Sequence, residues 1–325
     1  MNASGERAEA TTVAGVRRAA CVGTGLIGAR WAVQFLAAGL EVRATDPAPG
    51  AEERTQADIA AAWPALRRLG RTALAEPPQL AFSTELETAV AEADWVQESV
   101  PDVDELKLEV LRQVDGACPP QAIIASSTSG ILPTLLQSVC THPERVLVGH
   151  PFNPVHILPL IEVVGGERTS PEVVERAIAF YTALGKKPLR CRVEAPGFIA
   201  NRLQEALYRE AFHLVNDGIA TTAELDASVF DGMGLRWALL GPSMIYLLQG
   251  GRGGMAHALR QFNPEHVDDW AHIHYPALTD ELVDTLDTQT AEQAAGRSLA
   301  EWEALRDEFL IRLIQLRDEI TGGAG

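Results

Sequence analysis

The 325-residue sequence is poor in basic side chains, in cysteine and in long apolar runs. With 27 Lys and Arg against 44 Asp and Glu its formal charge is −17, which repels nucleic acid and anionic lipid over most of a surface and makes DNA or membrane-surface binding a poor fit. A cationic ligand suits that balance better. No apolar stretch approaches the ~18 residues of a membrane span. The start, Met1 to Gly15, lacks the charged and apolar segments of a secretory signal and is expected to be a flexible tail, so a cytoplasmic location is the expectation. Cys21, Cys118, Cys140 and Cys191 fall without Cys-x-x-Cys spacing, as a reducing compartment predicts. His266, His272 and His274 do not make a metal-ligand pattern, and no metal is expected.

What is present is enough to build a core: 46% of residues are hydrophobic and 22% charged, an ordinary globular composition, and the length suits about two domains. Up to about Arg192, short apolar strand-like runs (Ala19–Val22, Glu41–Thr45, Trp95-Val96, Ile123-Ile124, Val146–Val148) alternate with helical patterns (Leu26–Ala38, Asp104–Val114, Pro133–Val139). That alternation predicts an α/β domain with a doubly wound sheet. Beyond Pro196-Gly197 only helical periods recur, from Phe198–Val215 to Leu299–Ile320. The expected organisation is a tail over 1–15, an α/β domain over 16–195 and an all-α domain over 196–325, without internal repeats.

Gly23-Thr24-Gly25-Leu26-Ile27-Gly28 is a G-x-G-x-x-G string between the first strand and the first helix. A pyrophosphate needs close backbone approach at such a turn and free N–H groups at the helix start, which only glycine at the first two positions leaves open. Asp46 ends the next strand 18 residues after Gly28, where a carboxylate takes both hydroxyls of an adenosine ribose. It would repel a 2′-phosphate, and Pro47-Ala48-Pro49 offers no arginine, so the domain is read as a Rossmann-type NAD site rather than an NADP site.

A second informative stretch is Val146–Val148, Gly149, His150-Pro151-Phe152-Asn153-Pro154, followed by the apolar run Leu160-Ile161-Glu162-Val163-Val164. His150 would sit rigidly at a strand's carboxyl end, where open α/β sheets bind ligands. Glu162 in an apolar run needs a partner, and an imidazole is a natural one. Spacing alone also suits two unrelated polar residues.

Together with Ser126-Ser127-Thr128-Ser129-Gly130 and Pro196-Gly197-Phe198-Ile199-Ala200-Asn201-Arg202, these motifs resemble the 3-hydroxyacyl-CoA dehydrogenase superfamily in order and spacing across about 300 residues. The resemblance implies His150 as general base, Glu162 as its partner, and Ser129 and Asn201 as hydrogen-bonding groups for the reacting oxygen. It also implies Glu98 and Lys107 near the nicotinamide ribose, although a strand-end acid and a solvated lysine would look the same. Within the superfamily, Leu207–Thr222, Gly234-Leu235-Arg236-Trp237, Gly250–Met255 and Ala294–Ser298 are most similar to the branch that oxidises L-carnitine. That branch implies a small 3-hydroxy acid as substrate and a homodimer. A trimethylammonium would be held against aromatic faces, with Phe198, Trp237 and Tyr246 as candidates that equally suit a core, and Arg236 could pair with a substrate carboxylate or a neighbouring acid. Asn201 stands where an acid is common in that branch, and Arg252 likewise. Oxidation of another 3-hydroxy acid, such as L-gulonate or a 3-hydroxyacyl compound, is the alternative, and a non-catalytic NAD-binding, crystallin-like protein is a further one.

Overall fold

The computed structural model describes residues 12–262, 274, 277, 279–294 and 296–322. Its contacts divide the chain into two compact units, one running to Ile199 and resuming at Arg306, the other Ala200–Leu305. Residues 306–325, expected in the helical domain, therefore count with the first unit. Most of the expected tail lies outside the described residues, but Val13 and Val16 exchange backbone hydrogen bonds of 2.8 and 2.9 Å around a tight turn, and Val16 is buried.

The first unit alternates β1 (Arg18–Val22), α1 (Leu26–Ala37), β2 (Glu41–Thr45), α2 (Ala51–Arg68), β3 (Ala81–Ser83), α3 (Leu86–Val90), β4 (Trp95–Glu98), α4 (Asp104–Ala117), β5 (Ile123–Ser126), α5 (Pro133–Gln137), β6 (Val146–Pro151), β7 (Leu160–Gly165), α6 (Pro171–Ala183) and β8 (Lys187–Cys191). The strands form one sheet in the order β3-β2-β1-β4-β5-β6-β7-β8, with β6 and β7 antiparallel and the other neighbours parallel. The chain winds outward from β1 to β3 and then returns to β4, so the order reverses between β1 and β4. Open α/β sheets bind ligands beyond the carboxyl ends of their strands at that reversal.

The central strands β4, β5 and β6 are buried along their whole length, apolar at their starts and polar only toward their carboxyl ends, because helices cover both faces. One face packs Trp31, Phe35, Ile59, Trp63, Trp95, Phe180 and Tyr181; the other packs Val22, Val96, Leu111, Val114, Ile124 and Val148. All four cysteines are buried free thiols in these layers. The second unit contains α7 (Ala200–Asn216), α8 (Thr222–Ser228), α9 (Gly234–Trp237), α10 (Pro242–Gln249), α11 (Gly254–Phe262), α12 (Asp280–Gln293) and the first part of α13 (Leu299–Thr321). Among the described residues no helix is long and apolar enough to cross a membrane.

Directly beneath β6, Tyr181 fills the space a side chain would need at Gly149: a Cβ there would lie 2.0 Å from the Tyr181 hydroxyl. That hydroxyl donates to Gln97 Oε1 at 2.9 Å, and Gln97 Nε2 donates to Ser127 Oγ at 2.8 Å, so the ring cannot swing aside freely. Gly149→Ala is expected to destabilise the protein by about 1–3 kcal/mol in urea unfolding, as overpacking does, and Tyr181→Phe in the same chain should recover part of the loss. A Gly149→Ala protein of parental stability would show that the ring yields.

Candidate active site

The carboxyl edge of the sheet gathers the turn after β1, the ends of β4 and β5, and His150 near the end of β6. Gly23 has a φ of +83°, a left-handed conformation that glycine adopts without steric penalty, and a Cβ on it would lie 2.9 Å from the Ser99 carbonyl carbon. A Cβ on Gly28 would meet the Gly23 carbonyl oxygen at 1.9 Å, so α1 packs against the turn only because that position is bare. At Gly25 a Cβ would meet nothing within 4 Å. Its bareness leaves an open approach to the backbone. The first intrahelical bond runs from Ala29 N–H to the Gly25 carbonyl at 3.0 Å, which leaves the amides of Leu26, Ile27 and Gly28 ahead of the helical ladder. An open glycine before uncapped amides at a helix start fits a pyrophosphate.

Asp46 sits beside this turn. Its Oδ2 accepts from the Thr24 amide at 2.8 Å and its Oδ1 from the Ala48 amide at 2.9 Å, which fixes the carboxylate at the end of β2. The residues present therefore fit a dinucleotide with a free 2′-hydroxyl.

Glu98 and Lys107 form a buried pair. Lys107 Nζ donates to Glu98 Oε1 at 2.8 Å, to Oε2 at 3.1 Å and to the Val100 carbonyl at 2.8 Å, with both side chains almost wholly buried. Glu98 also accepts from the Val100 amide at 2.6 Å and from the Ser126 hydroxyl. The carboxylate nearby that reaches solvent is Asp102, 39% exposed, whose Oδ1 lies 3.2 Å from Lys107 Nζ and whose Oδ2 accepts from the Ser129 amide and hydroxyl at 2.9 and 2.8 Å. Burial alone would raise the Asp102 carboxyl, but the Ser129 amide, the Lys107 ammonium and the Ser129 and Thr128 hydroxyls outweigh it and hold it below the usual range. Asp102 escapes a reading of the sequence because Pro101-Asp102-Val103-Asp104 looks like an acidic helix start. Lys107, one turn into α4, was the available signal.

His150 and Glu162 are directly opposite each other in the antiparallel β6–β7 ladder. His150 Nδ1 lies 2.8 Å from Glu162 Oε2, and Glu162 Oε1 accepts from the Ile199 amide at 2.8 Å. A carboxylate can only accept, so Nδ1 carries the proton, and in the neutral imidazole Nε2 is the nitrogen left to accept. Both residues are buried, Glu162 completely. The His150 ring is flanked by Phe152 and Phe198, with centroids 4.8 and 5.6 Å away. Phe198 is only 4% exposed and holds a φ of +50°, a conformation rare for a bulky residue, and it is the residue before Ile199. Strain at that position serves to aim the Ile199 amide at Glu162.

Of the other expected site residues, Ser129 is exposed and tied to Asp102. Asn201 begins α7 in the second unit, where Arg236 and Trp237 are exposed on α9 and Arg252 is exposed before α11. Tyr246 is on α10 and its side chain lies outside the described set; His266 and His272 are also outside the described residues.

A glycine turn opening a helix, a carboxylate at the end of the next strand and a histidine–carboxylate pair on one sheet edge suit an NAD-dependent dehydrogenase. The family profile described as "3-hydroxyacyl-CoA dehydrogenase, NAD binding domain" matches residues 18–194, and the one described as "3-hydroxyacyl-CoA dehydrogenase, C-terminal domain" matches residues 197–300. The chain belongs to the 3-hydroxyacyl-CoA dehydrogenase family. It is 48% identical over 300 residues to the L-carnitine dehydrogenase of Pseudomonas putida, covering 92% of this chain and 94% of that one. The L-carnitine dehydrogenase of Streptomyces griseus is 49% identical over 309 residues, 95% of this chain and 92% of that one. Among solved structures, an NAD+-dependent 5-formyl-3-hydroxy-2-methylpyridine 4-carboxylic acid 5-dehydrogenase has a TM-score of 0.80 at 29% identity, covering 94% of this chain and 99% of that one. Escherichia coli 3-hydroxybutyryl-CoA dehydrogenase has a TM-score of 0.63 at 29% identity, covering 83% of this chain and 56% of the other.

Two outcomes follow for this edge. Glu98→Gln leaves the Lys107 ammonium buried without its full counter-charge and is expected to cost about 3–5 kcal/mol in urea unfolding, with Lys107→Met in the same chain recovering much of it. Asp46→Ala should weaken NADH binding by about 10- to 100-fold in a fluorescence titration while leaving NADPH binding, weak in the parent, unchanged or tighter. Parental NADPH affinity equal to NADH affinity would contradict the role given to Asp46.

Proposed function

We propose that the protein oxidises the 3-hydroxyl of L-carnitine to 3-dehydrocarnitine with NAD. The observation that carries the chemistry is the buried His150–Glu162 pair at the carboxyl edge of a sheet with a dinucleotide turn. The choice of carnitine draws on relatives of 48–49% identity that bear that activity in their names, and a chain of charge −17 suits a substrate with a trimethylammonium group.

Bound NAD supplies the nicotinamide that accepts the hydride. His150 Nε2 takes the hydroxyl proton, and Glu162, fixed from its far side by the Ile199 amide, holds the imidazole in the productive tautomer and favours the imidazolium that forms. Ser129 is the first unit's candidate to hydrogen-bond the reacting oxygen, for which its hydroxyl, donated here to Asp102, would have to turn; Asn201 is the candidate that the family resemblance supplies. Asp102 would reach toward the nicotinamide ribose, held in place by the Lys107 ammonium, which Glu98 keeps buried behind it. Phe152 and Phe198 keep water from the base. Trp237, Tyr246 and Arg236 are the second unit's candidates for the trimethylammonium and carboxylate ends of the substrate.

The protein is further read as a cytoplasmic homodimer. Leu203, Phe230, Leu235 and Leu239 of the second unit are 62, 60, 66 and 58% exposed, apolar surface that a second copy would cover. Light scattering is expected to return about twice the 35.0 kDa of one chain, and a monomer at micromolar concentration would remove this element.

The activity is tested by NADH formation with L-carnitine, D-carnitine, L-gulonate, 3-hydroxybutyrate and 3-hydroxybutyryl-CoA. L-carnitine should give the highest kcat/KM; turnover with L-gulonate or the thioester instead would move the substrate, and none with any alcohol would favour a binding protein. His150→Ala should lower kcat by about 100-fold or more with NADH affinity unchanged.

A further inference from the structure

Two basic side chains outside the site, a buried lysine and a half-buried arginine, converge on one stretch of backbone. Lys186, just ahead of β8 and 3% exposed, donates from Nζ to the Leu158 carbonyl at 3.0 Å and to the Val155 carbonyl. Arg71, which follows α2, donates from Nη1 to the His156 carbonyl at 2.7 Å and from Nη2 to the Ile157 carbonyl at 3.2 Å. Four successive carbonyls, Val155 through Leu158, thus end on two side chains. They belong to the connection between β6 and β7, where the Pro154 carbonyl accepts from the Ile157 and Leu158 amides in a single helix-like turn. The last carbonyls of such a turn have no partner within it, and here the cations cap them.

The connection needs that help. His150 and Glu162 form the second-last pair of their ladder, and the last pair is Pro151 with Ile161. Pro151, Pro154 and Pro159 have no N–H to give, so hydrogen bonding stops where the pair that moves the proton begins. Ile157 is packed from outside by Ile311 and Ile314 of α13, which places it but bonds none of its polar groups.

Holding the turn this way is expensive. Lys186 lies 5.4 Å from the Trp31 ring centroid, and burial, reinforced by the Arg71 charge, pushes its ammonium well below the ordinary lysine range. Arg71 is lowered by burial too, against the opposing pull of Asp318. Burial, together with the charges of Arg30, Lys186, Arg71 and Arg306, takes the His156 imidazole down to about 3, so it stays neutral between the cations. A buried ammonium on carbonyls alone is a poor way to gain stability, and it points to a geometric purpose.

We propose that Lys186 and Arg71 are positioning residues of the dehydrogenase reaction: by holding the Val155–Leu158 carbonyls they lock the β6–β7 connection and with it the alignment of His150 on Glu162. The proposal rests on His150 being the base, and neither cation touches the site. In the full-length protein, Lys186→Met keeps the length of the side chain and removes the donors. It is expected to lower kcat by about 10- to 100-fold, the scale of a misplacement of about 1 Å, with KM for L-carnitine and NADH affinity within about threefold of the parent. The downfield proton resonance of His150 Nδ1–H, identified by its absence from His150→Gln, should broaden or vanish. Arg71→Lys, which keeps the charge but offers one short donor group to two carbonyls, should move both readings the same way and serves if Lys186→Met does not fold. A kcat within about twofold of the parent with the resonance intact would overturn the proposal, as would a parallel collapse of kcat and NADH binding, which marks a merely structural role. If the parent does not turn over L-carnitine, the substrate assignment has failed, and the resonance still decides the clamp.

Discussion

A carboxylate cannot be buried completely unless donors meet it, and the meeting of Glu162 with its two donors organises the reactive half of the first unit. One donor is the His150 imidazole and the other is the Ile199 amide. The imidazole reaches Glu162 because β6 and β7, alone among the neighbouring strands, run antiparallel and set the two residues face to face. The amide reaches it because Phe198 adopts a left-handed conformation at the end of the Pro196-Gly197 turn. With both oxygens committed, the carboxylate has no freedom to rotate. The imidazole is therefore held with Nδ1 on the carboxylate and Nε2 turned away from it, and the entropy of orienting the ring is settled during folding.

The cofactor side applies the same principle at larger scale. Glu98 is met by an ammonium, a backbone amide and a hydroxyl, and the ammonium it holds extends its influence to Asp102, which in turn orients Ser129. One buried lysine thus ties a buried carboxylate to an exposed one. The −17 of the whole chain says little about such a place, since local order here depends on cations: Lys107 on one flank, Lys186 and Arg71 on the other.

What the sequence made legible follows burial. Strands β1 and β6 stand out because both faces are covered and each holds an apolar run, Ala19–Val22 in one and Val146–Val148 in the other. The edge strand β3, Ala81-Phe82-Ser83, and β8, Lys187-Pro188-Leu189-Arg190-Cys191, expose much of their length and carry no such mark. Helix α6 had a readable start in Ser170-Pro171, where the Ser170 hydroxyl accepts from the Val173 amide, yet its apolar residues blend into the run from β7. The glycine turn and Asp46 could be read because each requires particular residue types at fixed offsets, whereas His150 and Glu162 are candidates by type whose pairing needs the family resemblance and, in the structure, the β6–β7 register. Asp102 could not, since its importance comes from a lysine five positions on and a serine 27 away. Nor does any local pattern tell that α13 from Arg306 onward packs with the first unit; Ile311 and Ile314 are ordinary helix-core positions until Ile157 is seen between them.

Lys186 is the sharpest case of what a sequence hides. Beside Lys187 it looks like half of a solvated pair, the ordinary state of lysine. Its neighbour pairs with β7 at the sheet edge, and the alternation of a strand turns the two side chains to opposite sides, one toward water and one under Trp31. Once inside, an ammonium needs acceptors, and where no carboxylate meets it, as Glu98 meets Lys107, carbonyls left without partners must; the proline-rich connection after His150 leaves them. The prolines that stiffen the turn and the cation that caps it are two halves of one arrangement: removing N–H groups from the ladder frees carbonyls, and the freed carbonyls give a buried lysine its place.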